Sequence, residues 1–274
     1  MGLLRNWFGR DAAGTQNKEA DVIEGFYVIE EVHGTKNALE LFRSAAAGEK
    51  ASIFEIARCF DESSENKLAF TWLKKAADLG NADAMVKLVD YYQGHFVGIE
   101  EDLVMADRYL KKAIELGSAK AYVKLAQEHY SVDDPEENEI AFGYYMQAAE
   151  MGDPEGQAEV GEAYLHGVGV EQDSSQAFYW LLKSTDDRHA AYMLAQCYLE
   201  GLGTPVDYEK ATEALERAVK AGCVEKNAAR RKLLELYRKG YGGKNASSKM
   251  ARTKAELEAS DKLLNDLAAA ILGA

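Results

Sequence analysis

Apolar residues return along the chain at a nearly fixed interval, and the same kinds of neighbour surround each of them. A small residue precedes each apolar residue by four positions, and an aromatic ring or a histidine follows it by four. This spacing places the three side chains on one stripe of an α-helix. Because the steps between members are 32 to 39 residues, the pattern predicts a helix repeated at least six times. The apolar column consists of Ile56, Leu88, Leu125, Val160, Leu194 and Leu233.

A second helix is predicted after each of the first five. Its alanines are followed three positions later by a ring in four cases, and seven positions later by alanine or serine. Small residues let a neighbouring helix approach closely, and the rings fill the gaps between helices. Four of the five are closed by a glycine, which suits the left-handed residue at a helix end, and Arg188 takes that place in the fourth. The alanines are Ala69, Ala106, Ala141, Ala177 and Ala211, and the glycines are Gly80, Gly117, Gly152 and Gly222.

The two helices of a repeat are joined by a connector rich in glycine, at residues 167–170, 201–204 and 240–243. A lone Gly-x-Gly could cradle a phosphate, but its recurrence at one phase of the repeat indicates a structural turn. Asp173 and Asp207 follow at N-cap distance from the second helices. Residues 61–66 and 131–138 replace the glycine-rich connector in the first and third repeats. The unit is therefore helix–loop–helix, about 36 residues long.

These columns resemble the Sel-one-like repeat, a subfamily of the tetratricopeptide-type solenoids. The resemblance rests on Ala-x-x-x-Leu-x-x-x-Tyr-x-x-Gly-x-Gly helices and loops, as in residues 190–203, and on second helices such as 69–77 and 106–114. It covers about residues 50–245 and implies an all-α fold, a right-handed α/α superhelical solenoid. We accordingly expect a flexible or capping tail over 1–20, a degenerate repeat or cap over 21–48, about six repeats over 49–246, and a capping helix over 247–274.

The same resemblance implies that the first helix of each repeat lines a concave face. Positions two before, two after and five or six after the apolar column would then be exposed to a bound partner protein or peptide. Phe54, Tyr130 and Tyr192 are expected to be the exposed aromatic anchors. Alternatively, these positions are solvated polar residues and packing residues. The predicted partner-binding residues are Phe54, Arg58, Asp90, Gln127, Tyr130, Glu162, His166, His189, Tyr192, Gln196, Arg231, Glu235 and Arg238.

Composition supports a folded chain and adds an uneven charge. The 274 residues are 47% hydrophobic and 28% charged, as in ordinary globular proteins. The net charge of −14 disfavours nucleic acid and anionic membranes as ligands, and no apolar run is long enough for a transmembrane segment. Residues 225–254 nevertheless carry ten Lys and Arg against two acids, a net +8 that leaves −22 for the rest. This stretch is either a docking surface for an acidic partner or for the chain's own acidic body, or a solvated helix face.

Cysteine and histidine usage indicates neither a disulfide framework nor a metal site. Cys59, Cys197 and Cys223 are expected to be reduced, buried thiols of a cytoplasmic protein, with a disulfide between Cys197 and Cys223 as the alternative. The five histidines show no metal-ligand spacing, so no metal or cofactor is expected, and His129 is predicted to pack in the core.

A non-catalytic adaptor or scaffold is the function that these features favour. The resemblance suggests a bacterial member of the family, with a secretion-linked accessory or a toxin-neutralising immunity protein as narrower possibilities. The alternative is a hydrolase of cell-wall or β-lactam substrates, for which the Ser-x-x-Lys match at Ser64 and Lys67 is the sole indication. A further expectation concerns four apolar residues at helical spacing near the N-terminus. They form either a short docking element for a partner or a membrane surface, or a frayed tail or covering turn. The four residues are Leu3, Leu4, Trp7 and Phe8.

Overall fold

The computed structural model describes residue 29 and residues 35–94, 96–184, 187–222 and 225–272. Within these ranges all regular structure is helical, without a strand, and successive helices pack against one another over residues 35–115 and over residues 135–272. The predicted all-α solenoid of helix–loop–helix repeats is therefore confirmed. The chain divides into two compact units, residues 1–124 and 125–274. The N-terminal tail, with Leu3, Leu4, Trp7 and Phe8, lies outside the described residues.

The first unit is built from pairs of helices of about three turns each. The helix α1 packs on α2, α2 on α3, α3 on α4 and α4 on α5, while the unit boundary falls within α6. The bounds are α1 Thr35–Ala46, α2 Lys50–Glu62, α3 Asn66–Asp78, α4 Ala82–Tyr92, α5 Leu103–Glu115 and α6 Ala119–His129.

The second unit continues the same alternation of first and second helices and ends in a long helix. Each helix from α7 to α13 packs on the next, and the two first helices α8 and α10 also touch. The bounds are α7 Pro135–Glu150, α8 Pro154–His166, α9 Ser174–Lys183, α10 Arg188–Glu200, α11 Tyr208–Ala221, α12 Lys226–Arg238 and α13 Ala246–Leu272, with a 3₁₀ turn at Gly243–Asn245.

The columns found in the sequence form the core. Five members of the apolar column are buried and Leu125 is half-buried, while all five alanines that begin the second-helix pattern are buried. Small residues permit close helix approach, because a Cβ added at Gly156 of α8 would stand 2.8 Å from the Cβ of Ala148 in α7. Burial raises the pKa of the Cys59 and Cys197 thiols to about 11, as expected of core cysteines. Cys223 lies outside the described residues.

The connectors are structural turns, as their periodicity predicts. Asp173 and Asp207 accept hydrogen bonds from backbone N–H groups in the first turns of α9 and α11. Gly169 and Gly203 have φ values of +65° and +67°, and each approaches the backbone at the start of a neighbouring second helix. A Cβ at either glycine would lie 2.1 Å from a carbonyl oxygen, so only glycine fits these two positions.

Three local expectations are wrong. Arg188 does not close the fourth second helix: α9 ends at Lys183, and Arg188 begins α10 behind its N-cap Asp187. Residues 135–138 are not loop, because Pro135 is well suited to the first turn of α7 and needs no helical N–H partner there. His129 is half-buried rather than core, with Nδ1 2.7 Å from Oε2 of Glu137.

Candidate partner-binding site

A cavity of about 220 Å³ lies between α7, α8 and the residue that follows α6. It belongs entirely to the second unit. Three of the residues predicted to face a partner line it, namely Tyr130, Glu162 and His166. We call it the aromatic–acidic cavity, and its lining consists of Tyr130, Asn138, Ala141, Phe142, Tyr145, Glu159, Glu162, Ala163, His166 and Val168.

Aromatic rings form one side of this cavity. Tyr145 is buried on α7 and Phe142, one turn earlier, is half-buried against the ring of Tyr164 at a centroid distance of 5.4 Å. Tyr130 is 54% exposed, as predicted for an anchor. The rings therefore present both a fixed wall and an accessible edge.

Two carboxylates on α8 form the other side. Burial, and then the nearby charge of Glu162, raises the pKa of Glu159 to about 7. No hydrogen bond to the Glu159 carboxylate is made by the described residues. Burial and the charge of Glu159 also raise the pKa of the Tyr145 hydroxyl. The positive charge of His189 lowers the pKa of Glu159 but does not offset its burial, so Glu159 is a desolvated carboxylate with no hydrogen-bonded cation among the described residues.

Glu162 differs from Glu159 because His189 of α10 balances its charge. His189 Nε2 is 3.1 Å from Oε2 of Glu162, and Nδ1 is 3.2 Å from Oε1 of Glu225. The hydrogen bond to Glu162 raises the pKa of His189 to about 9 and lowers the pKa of Glu162. His189 is therefore an imidazolium at neutral pH, donating both N–H groups. Oε2 of Glu225 is buried without a hydrogen-bond partner among the described residues.

This arrangement suits a cationic side chain. A lysine or arginine head group would pair with Glu159 while its stem or plane rests on the rings, combining a charge-assisted hydrogen bond with cation–π attraction. Among the described residues no three His, Cys, Asp or Glu side chains are grouped as a metal site would require. None of the described helices combines the length and apolar character needed to cross a membrane.

Five consecutive segments match the model of the Sel1 repeat, at residues 63–81, 82–118, 119–153, 154–187 and 188–223. Together they cover more than half of the chain. This chain belongs to the Sel1 repeat family. Proteins built from Sel1 repeats are generally protein-interaction scaffolds.

Solved Sel1 structures agree with this assignment. A Sel1 repeat protein from Oxalobacter formigenes is 26% identical, with a TM-score of 0.66 over 87% of this chain and 99% of that one. A protective antigen present in uropathogenic Escherichia coli strains, which displays an SLR fold, is 25% identical with a TM-score of 0.54. That alignment covers 78% of this chain and half of the antigen. A comparison with curated proteins found no match.

The other predicted residues of the first Sel1 unit are engaged within the chain. Arg58 pairs with Glu55 at 3.2 Å and with Glu62 at 3.4 Å on its own helix. Asp90 of α4 binds Lys124 of α6, and Phe54 is half-buried. These side chains are polar contacts and packing residues, and their role toward a partner stays a prediction.

In the second unit, two of the remaining predicted side chains contact another helix. Gln127 donates to Glu155 at 3.0 Å, and Arg231 pairs with Asp261 at 3.4 Å. Glu235 of α12 pairs at 2.6 Å with Lys239, the residue that follows this helix. Gln196 is half-buried and Arg238 is exposed. None of these five lines the aromatic–acidic cavity.

The expected exposure of Tyr192 is wrong. Its ring is only 9% exposed and lies beneath Nζ of Lys232, which is 5.3 Å from the ring centroid. Tyr192 stands two residues before its apolar column residue, and the neighbouring first helix α12 covers that position. The equivalent Val123 and Ala158 are buried too. These three side chains are therefore packing residues rather than parts of an exposed face.

Sequence reasoning missed Glu159, Phe142 and Tyr145. Glu159 directly precedes the apolar residue Val160, a position assigned neither to the core nor to the exposed face. The two rings belong to a second helix, and second helices were considered only for packing. The position directly before the column is lysine in three repeats and glutamate in two, Glu55 and Glu159, so the sequence alone does not single out Glu159.

Ser64 has a structural explanation in this repeat. Within the described part of the chain it is the non-glycine residue with a positive φ, +62°, and its N–H donates to the carbonyl of Asp61 at the end of α2. Gly48 and Gly80 occupy the same kind of position after α1 and α3, with φ values of +86° and +81°. Ser64 therefore marks a helix-ending turn, whatever chemistry its hydroxyl carries.

Proposed function

We propose that this chain is a non-catalytic adaptor that captures a partner protein by taking a lysine or arginine side chain into the aromatic–acidic cavity. The observation that carries the proposal is Glu159, which lines the cavity without a hydrogen bond from the described residues and whose pKa is raised by burial and by the charge of Glu162. A positive head group would favour the charged form of Glu159. The resulting ion pair, shielded from water, would offset the loss of hydration of the cation.

The rings supply the remaining affinity. Tyr130 is exposed at the mouth of the cavity, and partially exposed tyrosines beside a pocket are frequent hot spots of protein interfaces. Tyr145 and Phe142 are held by packing, so they lose little freedom when a partner binds. A basic side chain with its aliphatic stem on these rings fits both properties of the site.

Affinity capture with the full chain as bait tests the proposal. Tyr130→Ala and Glu159→Gln are expected to weaken capture of a specific partner about tenfold, the effect of losing one interface anchor. Tyr179→Ala is the matched control, because Tyr179 is 49% exposed on the second helix α9 and lies outside the cavity. Partners that remain bound equally to all three variants would contradict the proposed site.

The non-catalytic part has its own experiment. β-Lactam turnover by the purified protein that disappears in Ser64→Ala would replace the adaptor by the hydrolase alternative. A toxin-neutralising or secretion-linked role is the narrower form of this proposal, in which the captured partner is an effector. Residence in the cytoplasm stays a prediction from the cysteines.

A further inference from the structure

A second cavity, of about 470 Å³, lies between α11, α12 and α13. Cationic side chains from all three helices line it, and two carboxylates, Glu216 and Glu256, accompany them. We call it the basic cleft, defined by Lys220, Lys226, Arg230, Lys249 and Arg252. It shares no lining residue with the aromatic–acidic cavity.

Three of the five cations share the two carboxylates. Lys249 Nζ lies 2.8 Å from Glu216, while Arg230 and Arg252 each donate to Glu256 at 2.9 Å. These three cations exceed the two carboxylates by one positive charge, and the five cations of the cleft exceed them by three. The basic character of residues 225–254 is thus partly balanced by the chain's own acids.

Lys220 and Lys226 provide the unbalanced charge. Neither has an ion-pair partner among the residues that the structure describes. Lys220 is exposed at the end of α11 and Lys226 is half-buried at the start of α12. Two ammonium groups therefore stand at the same cleft with no acid assigned to them.

Arg230 adds a buried donor that is not saturated. Its side chain is 10% exposed, and its guanidinium donates to Asn227 at 3.2 Å and to Glu256 at 2.9 Å. Nε is buried with no hydrogen-bond partner within the described part of the chain. A buried guanidinium with unmatched donors is costly, and an additional carboxylate nearby would lower that cost.

We propose that the basic cleft binds an acidic segment of a partner protein through its carboxylates. Val219 and Leu233 line the cleft beside the cations and would contact the methylene groups or apolar neighbours of such a segment. Glu216 and Glu256 moderate the positive charge, which disfavours a densely charged phosphate polymer. The cleft therefore suits a peptide in which acidic and apolar residues alternate.

The test uses the full chain and a fluorescein-labelled peptide of eight residues that alternates glutamate and leucine. Fluorescence anisotropy at low salt is expected to show saturable binding, and Lys220→Gln with Lys226→Gln to raise the dissociation constant about tenfold. The matched control is Lys111→Gln with Lys112→Gln, two exposed lysines of α5 in the other unit, which should leave the affinity unchanged. Thermal melting of every variant confirms that the fold is retained.

Several outcomes would overturn the proposal. An equal loss in the control variant would show that total charge, not the cleft, attracts the peptide. Displacement of the peptide by inorganic phosphate or by a single-stranded oligonucleotide at equal concentration would indicate a general anion site. A dimer in sedimentation experiments that the Lys220 and Lys226 variant converts to monomer would assign the cleft to a second copy of this chain.

Discussion

Replacing Glu159 by glutamine should stabilise the protein in a manner that grows with pH. The carboxyl group has a usual pKa of 4.5 and a pKa of about 7 in the folded chain. The folded chain therefore holds a proton that the unfolded chain releases, so stability falls as pH rises from 4.5 through 7. Deprotonation of Glu159 lowers the free energy of unfolding by about 3 kcal/mol well above pH 7. At pH 5.5 the loss is about 1 kcal/mol.

Glu159→Gln removes the ionisable group while nearly keeping its shape. Relative to the parent chain, the variant should gain about 2 kcal/mol in free energy of unfolding between pH 5.5 and pH 8.5. Urea unfolding followed by far-UV circular dichroism measures this gain. Glu171→Gln, at an exposed position of the same unit, controls for the loss of one negative charge. A difference that stays constant over this pH range would refute a desolvated carboxylate at position 159.

Two further predictions concern packing, and urea unfolding measures both. Gly203→Ala should lower the free energy of unfolding by about 3 kcal/mol, because the new Cβ clashes with a carbonyl oxygen and the backbone is left-handed. Gly222→Ala is equally left-handed but meets open space, so it should lose about 1 kcal/mol. Equal losses in the two variants would exclude the clash. Tyr192→Ala should cost about 3 kcal/mol as a core truncation, while Tyr130→Ala should change stability by less than about 0.5 kcal/mol. A neutral Tyr192→Ala would contradict the burial of that ring.

The fold followed from the sequence because solenoid contacts are local. In a solenoid each repeat packs mainly on the adjacent repeats, so the same contacts recur once per repeat. The same residue types therefore recur at the same position of each repeat. Ala69 and Ala177 could be assigned to the core without knowing any contact between distant segments. The end of α9 was not predictable in this way, because the fourth repeat departs from the pattern there. No glycine follows this helix, and the hydroxyl of Ser184 donates to the carbonyl of Pro154.

The lining of the aromatic–acidic cavity was predicted in part. Tyr130, Glu162 and His166 follow from their register relative to the apolar column, which sets the direction of a side chain on or just after a first helix. Glu159 and Tyr145 do not, since their importance arises from the space left between α7 and α8. Periodicity gives the face of a helix but not the volume between two helices, so the cavity and the pKa of Glu159 required the structure.

The two flanks of the apolar column play different roles, and this distinction changes the expected partner-binding surface. Two positions before the column, five of six residues are apolar, and Val123, Ala158 and Tyr192 are buried. Two positions after the column all six are polar, and several connect one repeat to the next. Asp90 reaches Lys124 and Glu162 reaches His189 in this way. A partner that approaches this polar row must exchange existing contacts between repeats, whereas Glu159 offers a carboxylate without a described hydrogen bond. The aromatic–acidic cavity is therefore where we propose that a partner's cation gains an ion pair without breaking one.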